Sequence, residues 1–431
     1  LRISMLRISM PNLRPGMMIA SPISHPLQPG TMLLNSGVSL DESMIAKLRE
    51  TGIREIWIRY PGLNDVRNSA SPMVASAGYQ VARLVDATFT AASTSASVRL
   101  DYNAYRAAVT GLLEKLSLHP RTTVFLDQMA GHGCASVRHA SAVCFISLLM
   151  GLRLEPWLVR HRAKLDASRA REIANLGVGA MLHDVGMLAL PESVRERWAM
   201  EEDLSDAAFR EHARLGFERV KNEIEPTAAG IVLHHHQFAD GKGFPAVEGF
   251  GHEPRPLSGD RIHPFAQIVG LVDTFDRLRF GVNDRLIADR GPTPVVRVLR
   301  MLREEPWSSR FDPVVMLGLM SVVPPFAPGT VVTLSDGRTA VVVDWSPLDP
   351  CRPAVRDVAL RTQRVRGWKV QEPGERIDLR KRPELSIVGA EDTDVSADVY
   401  SPATPGAFNL DALMRSWIDR AAEGPGEVRA A

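Results

Sequence analysis

Apolar and polar positions alternate in three textures along the 431 residues of this chain. Over residues 11–60, short apolar runs are punctuated by Gly16, Pro22, Pro26 and Gly30, which predicts a small β-rich unit. Ser39-Leu40-Asp41-Glu42 has the form of a capping box ahead of Met44, Ile45 and Leu48, so one helix is expected there, ending at Gly52. Ile56 and Ile58 alternate with Trp57 and Arg59 as in a strand. A polar linker from Pro61 to about Ala77 follows, and residues 61–99 are read as linker and helix. From about Tyr79 to Arg310 the period is helical. His139, Val143, Ile146 and Met150 form one stripe, so His139 lies on a face that otherwise packs inward. Asp273 and Asp276, three apart, share a helix face. At Pro328-Gly329 the texture turns β: Thr330–Leu334 and Thr339–Val343 flank Ser335-Asp336-Gly337, a hairpin signature. Val355–Arg364 and Trp368–Val370 are further candidate strands. Residues 372–431, rich in Pro, Gly and acids, read as a largely flexible tail with one helix at Leu410–Ala422.

Composition narrows the classes. Hydrophobic residues make up 45% and charged residues 23%, and the formal net charge is +1. That balance suits a globular protein and gives no electrostatic case for duplex nucleic acid or a membrane surface as partner. Cys134, Cys144 and Cys351 contain no C-x-x-C pair, which argues against a disulfide framework or zinc ribbon and leads us to expect a cytoplasmic setting. The apolar run Ala142–Leu152 is too short for a membrane span and is expected as a buried helix. The pentapeptide Leu1–Met5 recurs as Leu6–Met10. We read it as a start-site feature without function and not as a signal peptide.

The densest chemistry is His234-His235-His236-Gln237-Phe238-Ala239-Asp240-Gly241-Lys242-Gly243-Phe244-Pro245, preceded by His183-Asp184-Val185-Gly186. Adjacent histidines rarely arise for packing. A dinuclear hydrolytic site needs several N and O ligands and a carboxylate able to bridge two cations. His139, His183, Asp184, His212, His235, His236 and Asp273 offer such a set, with His183-Asp184 projecting from a helix end. Each has a plainer reading: a core histidine at 139, a solvated one at 212, capping acids at 273 and 276, a turn at 240–243. The order and spacing of the set favour the functional one.

At these residues the chain resembles the HD-GYP domain phosphodiesterases of bacterial cyclic di-GMP signalling, part of the HD superfamily of metal-dependent phosphohydrolases. The likeness spans roughly 100–325. The family's pattern of a first histidine on a helix, H-D-I-G-K, a lone histidine, H-H-E-x-x-D-G-x-G-Y-P and D-x-x-D-A-L reads here as His139, His183 to Met187, His212, His235 to Pro245 and Asp273 to Leu278. The resemblance implies a mainly α fold: an HD-type helical bundle over 100–325, a small N-terminal β-rich module over 11–60 and a C-terminal β segment over 326–371. It implies that His139, His183, Asp184, His212, His235, His236 and Asp273 hold two divalent metals, iron or manganese, with Asp184 bridging. Water activated there would cleave cyclic di-GMP to pGpG and/or GMP. Asp240, Gly241, Gly243, Phe244, Pro245 and Arg285 would form a loop for substrate or for other cyclic di-GMP signalling proteins.

The departures carry their own expectations. Met187 stands where the family has a lysine near the substrate phosphate, which predicts slow turnover. It should line the pocket one helical turn from His183. Gln237 replaces a glutamate and Phe244 a tyrosine. Ala135 stands where some members have a third-metal glutamate, which limits the site to two metals. An alternative function is a catalytically weak cyclic di-GMP receptor or scaffold, and a third is hydrolysis of another phosphate ester.

Overall fold

The computed structural model describes residues 5–25, 31–51, 53, 55–63, 66, 72–94, 99–118, 134–249, 252–281, 291–359 and 372–422. Arg285 and the candidate strand Trp368–Val370 lie outside them. The N-terminal module begins earlier than the sequence suggested. Strand β1 (Met5–Ser9) lies in the second copy of the pentapeptide repeat, and β2 (Ile23–Ser24) pairs with β3 (Met32–Leu34). Helix α1 (Glu42–Glu50) is capped by Asp41, whose carboxylate accepts from Met44 N; Ser39 of the proposed capping box is not the cap. Strand β4 (Glu55–Arg59) runs antiparallel to β1. The second copy of the repeat is therefore structural, because its apolar residues Leu6, Ile8 and Met10 are buried.

The bundle opens with α2 (Pro72–Thr94) and α3 (Tyr102–Leu118). Its centre is α4 (Ala135–Arg153), long and apolar enough to cross a bilayer but 78% buried against neighbouring helices. Around it stand α5 (Glu155–His161), α6 (Ala174–Leu182), α7 (Glu192–Glu201), α8 (Ala207–Val220) and α9 (Pro226–His234). A small hairpin, β5 (Val247–Gly249) and β6 (His252–Arg255), precedes α10 (Pro264–Phe280), α11 (Val295–Leu302) and α12 (Pro313–Val322).

The hairpin expected at Ser335-Asp336-Gly337 is present as β7 (Val331–Leu334) and β8 (Thr339–Asp344), with Gly337 at φ +84. Next comes β9 (Ala354–Asp357). Residues 372–422 are not the flexible tail expected. Within them, β10 (Arg376–Asp378), β11 (Ile387–Ala390) and β12 (Thr393–Asp394) complete a six-stranded sheet in the order β10-β9-β8-β7-β11-β12. The helix expected at α13 (Leu410–Ala422) is present. Composition misleads here because few apolar residues are spread thinly, yet Leu379, Ile387 and Val395 are each buried. The sheet is covered on both faces. Ala340 and Val342 of β8 join the bundle core, while Val341 and Val343 join Leu6, Ile8, Trp57 and Ile58 of the module. Alternate side chains leave a strand on opposite faces, so a layer covered twice reads as an unbroken apolar run.

Candidate metal centre

Five helices converge on one pocket, two of them through the turns that end them. His139 comes from α4, His183 and Asp184 from the end of α6, His212 from α8, His235 and His236 from the end of α9, and Asp273 from α10. Asp184 stands between two groups. Its Oδ2 lies 3.8 Å from His139 Nε2 and 3.6 Å from His183 Nε2; its Oδ1 lies 3.5 Å from His212 Nε2 and 3.6 Å from His235 Nε2. Asp273 Oδ1 is 3.2 Å from His139 Nε2, and its Oδ2 is 3.9 Å from His236 Nδ1. Two ligand sets result, with Asp184 common to both: His139, His183, Asp184 and Asp273, and Asp184, His212, His235 and His236. In each, the candidate ligand atoms lie within 4.8 Å of one another. The sequence-derived set is thus brought together complete. His234, first of the triplet, stays outside both sets.

Backbone hydrogen bonds orient the imidazoles. Nδ1 of His183, His212 and His235 faces the carbonyls of Ala180, Phe209 and Val232 at 2.8, 2.7 and 2.9 Å. Donation there leaves each Nε2 lone pair free and aimed inward, the tautomer that binds metals. Burial holds His183 and His212 down at about 4, and holds His236 well below the usual histidine value. Burial opposes a charge on His139 as well, but hydrogen bonds to Asp273 and Asp276 carry it up to about 9. Burial works against the Asp184 carboxylate, yet the surrounding histidines, His183 first, hold it well below its ordinary value. Asp184 is 25% exposed while the buried histidines at 183, 212, 235 and 236 show 2% or less, so ligands reach the site across this acid.

Two neighbours escaped sequence reasoning. Asp276 does not cap or solvate a helix. It is fully buried, bonds His139 Nδ1 at 2.7 Å and takes Arg138 Nη1 at 3.0 and 3.1 Å. A carboxylate behind a ligand imidazole fixes its orientation. The i, i+3 spacing from Asp273 was the legible signal. Arg277 escaped altogether, and its guanidinium pairs with Asp273 Oδ2.

Met187 does not sit one α-helical turn below His183. The α-helix ends, and a 3₁₀ turn over Val185–Ala189 follows, in which Met187 N donates to Asp184 O at 2.9 Å. Its partly buried side chain packs against Leu190, Val194, Trp198, Phe209, Ala213 and Phe244. This wall borders the histidines: Phe209 meets His212 at 4.6 Å and Phe244 stacks on His236 at 4.5 Å between ring centres. Phe244 is buried, so its ring faces the site and not an external partner. Gln237 latches the loop, its amide donating to Pro245 O at 2.7 Å and accepting from Leu257 N at 2.8 Å. An ionised glutamate has no donor for the first of these bonds. Asp240 accepts from Lys242 N in a turn where Gly241 takes φ +76, and Gly243 lies against the His236 carbonyl.

Two glycines allow the elements to meet. A Cβ on Gly186 would fall 1.9 Å from the His212 carbonyl oxygen, and one on Gly270 would fall 2.3 Å from that of His235.

A helical bundle with this His/Asp pocket defines the class. Residues 137–278 match the HD domain family, in line with the resemblance the sequence motifs carried. The chain is 24% identical over 369 residues to the cyclic di-GMP phosphodiesterase PA4108 of Pseudomonas aeruginosa, covering 78% of this chain and 81% of that one. It is 32% identical over 110 residues to the cyclic di-GMP phosphodiesterase response regulator RpfG of Xanthomonas campestris, 25% of this chain and 27% of that one. Over 121 residues it is 31% identical to the 3'3'-cGAMP-specific phosphodiesterase 2 of Vibrio cholerae, 27% of this chain and 21% of that one.

Proposed function

We propose that this protein is a metal-dependent phosphodiesterase that hydrolyses cyclic di-GMP to pGpG and then GMP. The observation that carries the reading is the division of Asp184, one oxygen toward His139 and His183, the other toward His212 and His235. Two divalent ions fit that division, one held by His139, His183, Asp184 and Asp273, the other by Asp184, His212, His235 and His236. A donor set of five imidazoles and two carboxylates suits iron or manganese better than four-coordinate zinc. When bound, the ions supply acidity to a water molecule and positive charge to the phosphate.

The chain's own residues do the rest. Backbone carbonyls and Asp276 fix the imidazole rings, and Arg138 keeps Asp276 ionised beneath them. The wall of Trp198, Phe209, Phe244 and Met187 keeps water from one side, where a low local dielectric strengthens charge–charge contacts with a phosphodiester. Hydrolysis adds water across one P–O bond: the water oxygen bonds phosphorus, and the ester oxygen leaves with the bonding pair and takes a proton. A weak cyclic di-GMP receptor is the second reading, favoured by Met187, whose thioether brings no charge to this wall.

The test is anaerobic purification, a metal count, and incubation with cyclic di-GMP and 3'3'-cGAMP while the linear and mononucleotide products are followed. About two metals per chain and pGpG formation are expected, and Asp184→Ala should lose most of both ions. Full metal content in that variant sinks the bridging assignment. Binding of cyclic di-GMP without turnover moves the protein to the receptor reading.

A further inference from the structure

The pocket contains a cation that nothing so far has used. Arg277 lies one helical turn beyond Asp273 on α10 and is nine-tenths buried. One end of its guanidinium bonds Asp273 Oδ2, the oxygen turned away from His139. Its Nε is buried and makes no hydrogen bond. A buried donor without an acceptor is unfavourable, and such a group in a site marks a place for a ligand acceptor. The guanidinium carbon lies 5.6 Å from the centre of the Trp198 ring, so Arg277 abuts the same aromatic wall against which Met187 packs.

We propose that Arg277 is a catalytic residue that binds a non-bridging oxygen of the scissile phosphodiester, and so supplies from α10 the cation that the 187 side of the pocket lacks. The assignment rests on the phosphodiesterase reading. An arginine suits the place because its planar fork has donors for two acceptors at once, Asp273 at one end and phosphate at the other. The hydrolytic transition state concentrates negative charge on the equatorial oxygens, so a fixed guanidinium there favours it over the ground state.

The test uses the full-length, metal-loaded protein and Arg277→Met, which keeps an apolar stem against Trp198. Metal content, melting temperature, inorganic phosphate affinity by calorimetry, and turnover of cyclic di-GMP and bis(p-nitrophenyl) phosphate are measured. We expect full metal content, phosphate binding weakened ten-fold or more, and kcat/KM down at least ten-fold on the diesters, about 1.4 kcal/mol. Adding Met187→Lys to Arg277→Met should recover part of both losses, since it returns a cation to the same wall. Unchanged phosphate affinity and turnover overturn the proposal. Loss of metal does too, because Arg277 then serves to position Asp273. If Arg277→Met does not fold, Arg277→Lys carries the test: a single ammonium does not span two acceptors, so wild-type phosphate affinity there overturns the proposal. A wild type that splits bis(p-nitrophenyl) phosphate but not cyclic di-GMP refutes the substrate reading alone, and Arg277 is then judged on the generic diester. A wild type that splits neither refutes both.

Discussion

Gly186 offers the sharpest test of how the pocket is assembled. It sits in the 3₁₀ turn after Asp184, pressed against α8. A methyl group there would lie 1.9 Å from the His212 carbonyl oxygen and 2.5 Å from Gly216 N. Both are backbone atoms, so no side chain can swing aside. Real contacts of this kind do not fall below 3.0 Å, so in Gly186→Ala the turn and α8 must separate by about 1.1 Å. Overpacking of this sort costs about 1–3 kcal/mol, and a backbone clash belongs at the upper end. About 3 kcal/mol lowers Tm by roughly 6–12 °C for a unit of this size. The movement has a direction. It draws His212 away from Asp184 Oδ1, now 3.5 Å distant, and leaves His139, His183 and Asp273 on other elements. The variant should therefore lose the ion at His212, His235 and His236 first, and hold about one metal where the wild type holds two. Gly230→Ala is the control. On α9 nothing lies within 4 Å of the added methyl, and a helical alanine gains roughly 0.5–1 kcal/mol over glycine. Calorimetry and metal analysis of both variants decide the matter. A Gly186→Ala protein with wild-type Tm and full metal content would refute the packing argument.

Asp276→Asn should weaken metal binding by about 10–100-fold through loss of the carboxylate behind His139. It also leaves Arg138 buried without its charge partner, and the melting temperature should fall with it. Gln237→Glu, which restores the family's acid, should destabilise the loop by about 1–3 kcal/mol, since a carboxylate would face Pro245 O. A gain in Tm or turnover would contradict the latch. Maleimide at pH 8 should label one thiol in the native protein and three after unfolding. Cys134 is exposed, whereas Cys144 and Cys351 are buried and pushed up to about 12 by that burial. Native labelling of more than one thiol would refute the burial assignment.

The sequence made the ligand set legible because each member is an unusual residue at a distinctive interval. Its geometry followed from helix periodicity, as for His139 on the inward stripe of α4. Asp276 was visible as a spacing but not as a role, since only tertiary packing places Arg138 beneath it. Met187 shows the limit of carrying helical spacing past a helix end: after the 3₁₀ turn its side chain packs against the apolar cluster that contains Trp198 and Phe209. The β-strands after 371 were hidden because their few apolar residues are diluted by charge, and a strand needs only a few buried side chains when a neighbouring ladder is already formed.

The doubly covered sheet has a consequence for the order of biosynthesis. Arg7 of β1 hydrogen-bonds Thr330, 323 residues away, and the core of the module is shared with Val341, Val343 and Ala354. Strand β1 therefore leaves the ribosome long before its packing partners and meets them only when β8 and β9 emerge. Contacts of such separation close slowly, and the apolar faces of β1 and β4 stay open to chaperones or to neighbouring nascent chains in the interval.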